Sequence, residues 1–280
     1  MSLFLSIGII TICWGIGNVL VKKGYQNLTP WQTYAIDSFL VAFPLWMIYG
    51  ALNGGNLFKI TPFAVGTVIF MTITYAIYYY AISKGEISLT AATISTYPVI
   101  TLILAYILLQ ERLGTVAYIG IFLTIIGVLA ISFPANSSFK FGKWVLPSIL
   151  TVIGYGVGAY LGKLVLNTVN NATYLMMLAI GQIAIVLLWK LFIKDSIPKI
   201  RTKGFIYSLI GIILFNIGNI AYYYSLEKGY SSIVVPLSNS SIVITLFLSI
   251  LWLKEKIHLY QIIGILSVVI GVVLVGINIS

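Results

Sequence analysis

Polar side chains cluster in the middle of two long apolar runs of this chain. One cluster includes Ser95 and Tyr97 and ends at Pro98, and the other begins at Pro236 and includes Asn239. Hydroxyl and amide groups are costly in hydrocarbon unless they face protein or water, so clusters at this depth predict a solvated cavity. The alternative is that these groups hydrogen-bond to neighbouring helices and hold them together.

Aromatic and amide side chains at comparable depth in other runs extend this predicted cavity. The rings would form its walls, and the hydroxyl and amide groups would orient a small solute. The predicted substrate-binding residues are Trp14, Asn18, Tyr78, Tyr79, Ser95, Tyr97, Tyr155, Asn216, Asn219, Tyr222, Ser238 and Asn239. The sequence shows no cluster of metal ligands and no cofactor motif, so we expect neither a metal nor a cofactor here.

Two prolines stand beside the polar clusters and predict points where helices change direction. A proline inside a helix frees a backbone carbonyl and bends the helix axis. In protein-lined surroundings such a carbonyl can serve as a ligand or a hinge. We therefore expect Pro98 and Pro236 to contribute to gating, with a static kink as the alternative.

Asp37 is the only acidic residue well inside an apolar run. It stands six residues past Trp31, which is about 9 Å along a helix, and an ionised carboxylate without a partner would be expensive at that depth. Lys22 closes the preceding run, so a pair between Asp37 and Lys22 is geometrically plausible. Both are candidates for coupling transport to a proton as the cavity alternates between dry and wet; a purely structural pair is the alternative.

The elements that carry these residues are predicted to be membrane helices. Of the 280 residues, 60% are hydrophobic and 8% are charged, and the mean hydropathy is +1.06, whereas a soluble domain carries charge on about a quarter of its residues. The apolar runs lack the alternation of barrel strands, and each is long enough to cross a bilayer as a helix. They fall at about 2–21, 31–50, 62–83, 87–109, 114–133, 144–165, 172–193, 204–226, 231–253 and 257–277. The sequence therefore predicts an all-α integral membrane protein with ten transmembrane helices.

An internal repeat sets the predicted architecture. A shift of 144 residues aligns 76–129 with 220–273 without a gap, with 19 identities in 54 positions. Because five helices repeat and five is an odd number, the second copy must enter the membrane from the opposite side, which gives an inverted pair. The predicted organisation is a first five-helix repeat over 1–133, a connecting loop over 134–143 and a second five-helix repeat over 144–280.

The two copies resemble the EamA domain. The resemblance rests on Tyr80, Pro98, Glu111, Gly120 and Gly127 in the first copy and on Tyr224, Glu255, Gly264 and Gly271 in the second. It implies a ten-helix member of the drug/metabolite transporter superfamily, whose members mostly export amino acids and other small metabolites. The chain departs from the pattern at Ile242, where the second copy lacks the proline, and at Asp37, where this family often carries an arginine.

These observations together predict a secondary transporter that exports a small metabolite such as an amino acid by alternating access. A multidrug or amine efflux carrier, an uncoupled facilitator and a channel are the alternatives. We do not expect an enzyme, because the only histidine, His258, stands at a helix end with no acidic cluster nearby. The expected partners are a small-molecule substrate and the lipid bilayer, with the chain as a monomer or homodimer.

The charges at the helix ends bear on location and orientation. The net charge of +10 is explained by basic loops that flank membrane spans, so we expect no nucleic-acid binding and a multi-pass protein of the plasma or inner membrane. Lys and Arg number 12 on the face reached by the first predicted helix and 4 on the other. That bias places both termini outside the cell, whereas the family resemblance implies cytoplasmic termini.

Two smaller features also lead to expectations. Glu111 lies at a predicted helix end next to Arg112, and we expect the two to pair at the membrane interface. The glycines that recur every seven residues in the fifth and tenth predicted helices indicate close helix packing, within the chain or at a dimer face.

Overall fold

The computed structural model describes residues 2–58, 60–85, 90, 93–132, 142–198, 202–253 and 259–279, and within those ranges the regular structure is entirely helical. Its helices are α1 (Leu3–Gly24), α2 (Pro30–Leu52), α3 (Pro62–Lys84), α4 (Tyr97–Ile107), α5 (Thr115–Ser132), α6 (Val145–Leu166), α7 (Asn171–Lys190), α8 (Lys203–Lys228), α9 (Ser231–Ser238), α10 (Ser241–Leu253) and α11 (Leu259–Ile279).

Six helices in the described part of the chain are long and apolar enough to cross a membrane, namely α1, α2, α3, α6, α7 and α8. The remaining helices contribute shorter apolar stretches of 10–17 residues. The regular structure of the described residues is thus all-helical with several helices that can span a membrane, and the count of ten crossings stays a prediction. Part of the predicted fourth span, at 86–89 and 91–92, lies outside the described residues.

Polar side chains set the starting points of the long helices. Ser2, Thr61, Asn170 and Thr202 each accept a hydrogen bond from a backbone N–H in the first turn of α1, α3, α7 and α8. The first turn of a helix leaves its N–H groups without intrahelical partners, and such a cap contributes about 1 kcal/mol.

Glycines bring α5 and α11 together in antiparallel orientation. A Cβ at Gly120 would lie 2.7 Å from the carbonyl oxygen of Gly271, and a Cβ at Gly127 would lie 2.5 Å from that of Gly264. A side chain at either position would force the two backbones apart. The glycine pattern therefore serves packing within the chain.

The long helices of the two halves also pack in antiparallel pairs. Trp14 near the middle of α1 lies against Gly218 of α8, and Gly24 at the end of α1 lies against Ser208 near the start of α8. The pair α6 and α3 crosses in the same way, with Gly158 of α6 against Met71 of α3. The last turn of α1 therefore lies beside the first turns of α8.

Two lysines mark opposite faces of the molecule. The Lys22 ammonium, in the last turn of α1, donates to the carbonyl oxygens at the end of α3, and the Lys163 ammonium, in the last turn of α6, donates to those at the end of α8. Since α8 runs antiparallel to α1, these two ends lie apart, and we refer to them as the Lys22 face and the Lys163 face.

The polar clusters coincide with breaks in the helices. The chain turns at Ser95–Thr96 before α4 and, 144 residues later, at Asn239–Ser240 between α9 and α10. Pro236 lies inside α9, as predicted, whereas Pro98 lies in the first turn of α4 rather than inside a helix. The expectation for Pro98 was wrong in this respect, because a proline suits the first turn of a helix, where its missing N–H costs nothing.

Candidate substrate cavity

A cavity of about 140 Å³, measured as the space open to the centre of a water molecule, lies between the two halves. Aromatic rings form much of its wall: Trp14, Tyr75, Tyr78, Tyr79, Tyr97, Tyr155, Phe215, Tyr222 and Tyr223. The polar groups that line it are Asn18, Asp37, Ser95, Gln182, Asn219, Asn239, Ser241 and Thr245. The site thus combines apolar walls with a few polar groups, which is typical of sites for small organic ligands.

Equivalent ring pairs from the two repeats contribute to the wall. Trp14 packs on Tyr222 with ring centroids 5.2 Å apart, and Tyr155 packs on Tyr78 at 5.7 Å. Tyr155 follows Trp14 by 141 residues and Tyr222 follows Tyr78 by 144, so each pair joins the two halves in the same way. Tilted rings at these distances attract each other beyond the effect of area burial alone.

The helix breaks meet at the cavity. The Asn239 side-chain amide donates to the carbonyl oxygen of Ser95 at 2.6 Å, and these two residues correspond across the repeat. The side-chain oxygen of Asn18, Oδ1, accepts from the Tyr78 hydroxyl at 2.9 Å, and the side-chain Nδ2 of Asn18 lies 3.5 Å from Thr245 Oγ1. Much of the polar lining is therefore already hydrogen-bonded within the protein.

The cavity extends toward the Lys22 face. Ile82, two residues before the end of α3, lines it, whereas its repeat equivalent near the end of α8, Leu226, is not among the described lining residues. Thr245 of α10 also lines it, and its equivalent in α4, Thr101, is absent from the described lining. The two faces are thus unequal, with the cavity lying nearer to the Lys22 face.

Asp37 is held in the cavity wall by groups from two other helices. It lies in a π-helical segment of α2 (Ile36–Ala42) and is 6% exposed. Its Oδ2 accepts from the Tyr79 hydroxyl at 2.9 Å, and its Oδ1 accepts from Asn216 Nδ2 at 2.7 Å. Both donors are neutral, and over the described ranges no ion pair includes Asp37. π-helical segments inside α-helices often occur at functional sites.

The predicted pair between Lys22 and Asp37 is not formed in the described structure. The Lys22 ammonium instead donates to the carbonyl oxygens of Ile82 at 3.2 Å and Gly85 at 2.8 Å. A cation at the end of a helix satisfies carbonyl groups that lack intrahelical partners and also interacts favourably with the helix dipole. The prediction was wrong because the end of α3 attracts this ammonium more closely than the carboxylate deeper in α2 does.

Lys163 performs the equivalent role on the opposite face. Its ammonium donates to the carbonyl oxygens of Leu226 at 2.8 Å, Glu227 at 3.3 Å and Gly229 at 2.8 Å. The Glu227 carboxylate accepts from the backbone and side-chain amides of Asn171 at 2.8 and 2.5 Å. The ends of α6 and α8 and the start of α7 are thereby tied together at the Lys163 face.

Glu111 adds a second tie on this face. Its carboxylate is 6% exposed and accepts four hydrogen bonds, from the backbone N–H and the hydroxyl of both Ser231 and Ser232. It therefore caps the start of α9, where a negative charge is favoured by the helix dipole. The expected pair with Arg112 is wrong, because Arg112 stacks on the ring of Tyr106 at 3.9 Å while Glu111 turns inward.

Comparison with known proteins identifies the family. The model of the EamA-like transporter family matches residues 2–133 and 142–277. The chain belongs to the EamA-like transporter family. It is 26% identical over 273 residues to a protein of Archaeoglobus fulgidus named an uncharacterized transporter, and the alignment covers 94% of each chain. The resemblance stated from the sequence is thus confirmed, and the family indicates a transporter rather than an enzyme.

Two further similarities concern the fold and the repeat. An uncharacterized protein of Methanocaldococcus jannaschii is 37% identical over 135 residues, which is 48% of this EamA-like transporter and 96% of that protein. That relative is therefore about as long as one repeat. A solved crystal structure superimposes with a TM-score of 0.78 at 14% identity, covering 99% of this chain and 96% of the other, and shows the same fold.

The structure brings ten of the twelve predicted substrate residues of this EamA-like transporter to the cavity. They are Trp14, Asn18, Tyr78, Tyr79, Ser95, Tyr97, Tyr155, Asn219, Tyr222 and Asn239. Asn216 lies behind Asp37 and supports it, and Ser238 is fully buried with no hydrogen-bond partner for its hydroxyl among the described residues. Whether the lining residues bind a substrate stays a prediction.

Sequence reasoning missed several lining residues, including Gln182, Phe215 and Thr245. Gln182 carried a usable signal, because it follows Ser38 by 144 residues, and the Ser38 hydroxyl donates to Gln182 Oε1 at 3.3 Å. Two polar residues at equivalent positions inside apolar runs are expected to meet where the halves meet. Phe215 carried no such signal, since a phenylalanine suits lipid and cavity walls equally.

Proposed function

We propose that this EamA-like transporter is a secondary carrier that exports a small polar or amphipathic metabolite across the cell membrane, with amino acids and organic amines as candidate solutes. Two inverted five-helix repeats would alternate its access between the two faces. The observation that carries this proposal is the position of the cavity, between the halves and nearer to one face. A carrier requires such a site, because the solute must be reached from one side at a time.

The matched contacts of the two halves support alternating access. Thr101 Oγ1 donates to the carbonyl oxygen of Gly156 at 3.1 Å, and Thr245 Oγ1 donates to that of Gly15 at 3.2 Å. Each half can therefore hold its helices together in the way the other does. An exchange of conformation between the halves would move the cavity toward the Lys163 face without unfolding either half.

Asp37 supports the proposal that transport is coupled to protons. It is the one charged side chain among the described residues that line the cavity, and it has only neutral hydrogen-bond donors. A buried carboxylate in this position favours neutralisation by a proton or by a positively charged ligand. Its protonation would thus respond to which face the cavity reaches.

Counterflow in proteoliposomes tests the carrier proposal. Vesicles loaded with a candidate amine or amino acid at high concentration should accumulate the same labelled compound from outside, and the initial rate should saturate. A channel or uncoupled pore would instead show flux that rises linearly with concentration and no accumulation. Linear flux alone for every solute that crosses would contradict the proposal.

A separate measurement tests proton coupling. The Asp37→Asn variant should lose the dependence of net transport on an imposed proton gradient. An undiminished gradient dependence in this variant would reject Asp37 as the coupling residue and would leave the carrier assignment intact.

A further inference from the structure

We infer that the carried solute is an organic amine with one positive charge and an aromatic or aliphatic body, and that amino acids are excluded. This inference rests on the proposed carrier function and adds the substrate class. It follows from the charges of the lining residues, the hydrogen bonds they already make and the rings around Asp37.

The charge of the cavity favours a cation. Asp37 supplies a carboxylate, and the described lining includes no lysine, arginine or histidine. The ammonium group of an amino acid could approach Asp37, but its carboxylate would then enter the same cavity as a second negative charge without a cation to meet it. An unpaired charge removed from water is strongly disfavoured.

On two walls of the cavity, neutral hydrogen-bond donors do not make up for the missing cation. The Asn239 amide already donates to the Ser95 carbonyl oxygen at 2.6 Å, and the Tyr78 hydroxyl already donates to Asn18. The Tyr75 and Tyr223 hydroxyls are hydrogen-bonded to each other at 2.7 Å. A substrate carboxylate would have to displace these bonds or rely on a neutral donor such as the Trp14 indole N–H, which has no hydrogen-bond partner among the described residues, whereas an ammonium group needs no donor.

An ammonium group finds acceptors and rings at Asp37. Each carboxylate oxygen accepts one hydrogen bond from the protein, and a carboxylate has about four acceptor positions, so capacity remains for a ligand. The Tyr78 ring lies beside Tyr79, with centroids 5.5 Å apart, and beside Phe215, at 6.4 Å. Aromatic faces next to a carboxylate form the type of site that binds organic ammonium ions.

The repeat supports a single cation per cavity. Gly181 stands 144 residues after Asp37, so the second half has no carboxylate at the equivalent position. Ala159 likewise stands 141 residues after Asn18. The aromatic wall is contributed by both halves, but the acidic group comes from one of them, and a dication would have one charge without a partner.

Matched pairs of compounds test the inference. Tryptamine and tryptophan, tyramine and tyrosine, and phenethylamine and phenylalanine share the same body and differ in the carboxylate. At millimolar concentration and neutral pH, each amine should raise the apparent Tm of the purified protein in detergent by about 2 °C or more, and the paired amino acid should leave it unchanged. Stabilisation by the amino acids instead, or by none of the six compounds, would overturn the inference.

Three variants locate the effect. Asp37→Asn should abolish the amine-dependent rise in Tm, and Asp37→Glu should retain it, because the charge is kept. Asp195→Asn removes a carboxylate that lies outside the cavity, where it accepts a hydrogen bond from Thr29 Oγ1, and should respond to amines like the unaltered protein. An amine response that survives in folded Asp37→Asn protein would contradict the assignment.

Transport separates this inference from the carrier proposal. Saturable counterflow of labelled tryptamine would support both. Saturable counterflow of tryptophan without tryptamine counterflow would leave the carrier standing and overturn the inference about amines. Amine binding with only linear flux would contradict the carrier and leave the amine site in place.

Discussion

The position of Asp37 depends on three helices. The residue belongs to α2, its two hydrogen-bond donors belong to α3 and α8, and the carbonyl oxygen of Asn216 in turn accepts from the Trp46 indole N–H at 3.4 Å. Asn216 Nδ2 also donates to the carbonyl oxygen of Ile212, which fixes the orientation of its amide toward the carboxylate. A movement of α3 or α8 relative to α2 would therefore alter the environment of this charge directly.

Replacing Tyr79 with phenylalanine tests this arrangement. The change removes a hydrogen bond to a carboxylate, worth about 1.5–3 kcal/mol, which stabilises the ionised form that an ammonium ion requires. We expect Tyr79→Phe to weaken tryptamine binding by about tenfold, measured by titration of the apparent Tm. Tyr223→Phe is the matched control, because Tyr223 follows Tyr79 by 144 residues and hydrogen-bonds Tyr75 instead of a carboxylate. Tighter binding by Tyr79→Phe would show that the hydroxyl competes with the ligand.

For single residues, the sequence predicted the depth in the membrane better than it predicted the hydrogen-bond partner. Asp37 was found from its position inside an apolar run, and Asn216 and Tyr79 from their polarity at similar depth. Their meeting at one carboxylate was not predicted, because it depends on the rotation of α3 and α8 about their axes. The predicted pair of Lys22 with Asp37 was wrong for a related reason, because proximity along the chain does not determine where a long side chain points.

Helices α5 and α11 form a packed pair outside the cavity. At the glycines the two helices are in backbone contact, and the space between them does not hold a side chain. The repeat made this pair predictable as a close contact, since Gly120 and Gly127 recur as Gly264 and Gly271. Whether the contact was within or between chains could not be derived from glycine spacing.

Replacing Gly127 with alanine measures the packing of this pair. The added methyl would lie 2.5 Å from the Gly264 carbonyl oxygen and 2.8 Å from Val268, so the helices must separate, at a cost of about 1–3 kcal/mol. We expect an apparent Tm several degrees lower in detergent. Gly66→Ala on α3 is the control, because a Cβ there meets nothing within 4 Å, and it should be neutral or stabilising. Equal effects of the two changes would contradict this description of the contact.

The helix breaks show where element prediction was limited. The repeat placed polar residues at equivalent positions, and the structure interrupts both helices there, although Pro98 and Pro236 occupy different positions relative to the break. One proline follows its break and the other precedes it. Pro98 lies directly after its break, whereas Pro236 lies inside α9 and removes a hydrogen bond one turn before the break. The break is thus common to both halves even though the proline position is not.

The two halves of the molecule have similar contacts but unequal ties at their ends. Glu227 joins the end of α8 to Asn171 at the Lys163 face, whereas Ser83 stands at the equivalent position near the end of α3 and donates to the carbonyl oxygen of Tyr80 in its own helix. The end of α8 thus has a carboxylate-mediated contact that Ser83 cannot provide at the end of α3. This difference agrees with a cavity that extends toward the Lys22 face.

Replacing Glu227 with serine makes the two ends more alike. The change removes two hydrogen bonds from Asn171 to a carboxylate, each worth about 1.5–3 kcal/mol, and should move the balance between the two access states by tenfold or more toward opening at the Lys163 face. Access can be measured with a cysteine in place of Ala159, which lines the cavity, in a Cys13→Ser background. A membrane-impermeant thiol reagent applied to oriented vesicles should label this cysteine mainly from the Lys22 face, and Glu227→Ser should increase labelling from the opposite face.

Lys228→Ser is the neighbouring control, because the Lys228 ammonium contacts Glu227 from an exposed position and an exposed pair contributes little. Unchanged labelling in the Glu227→Ser variant would show that the ties at the Lys163 face do not set the balance between the access states.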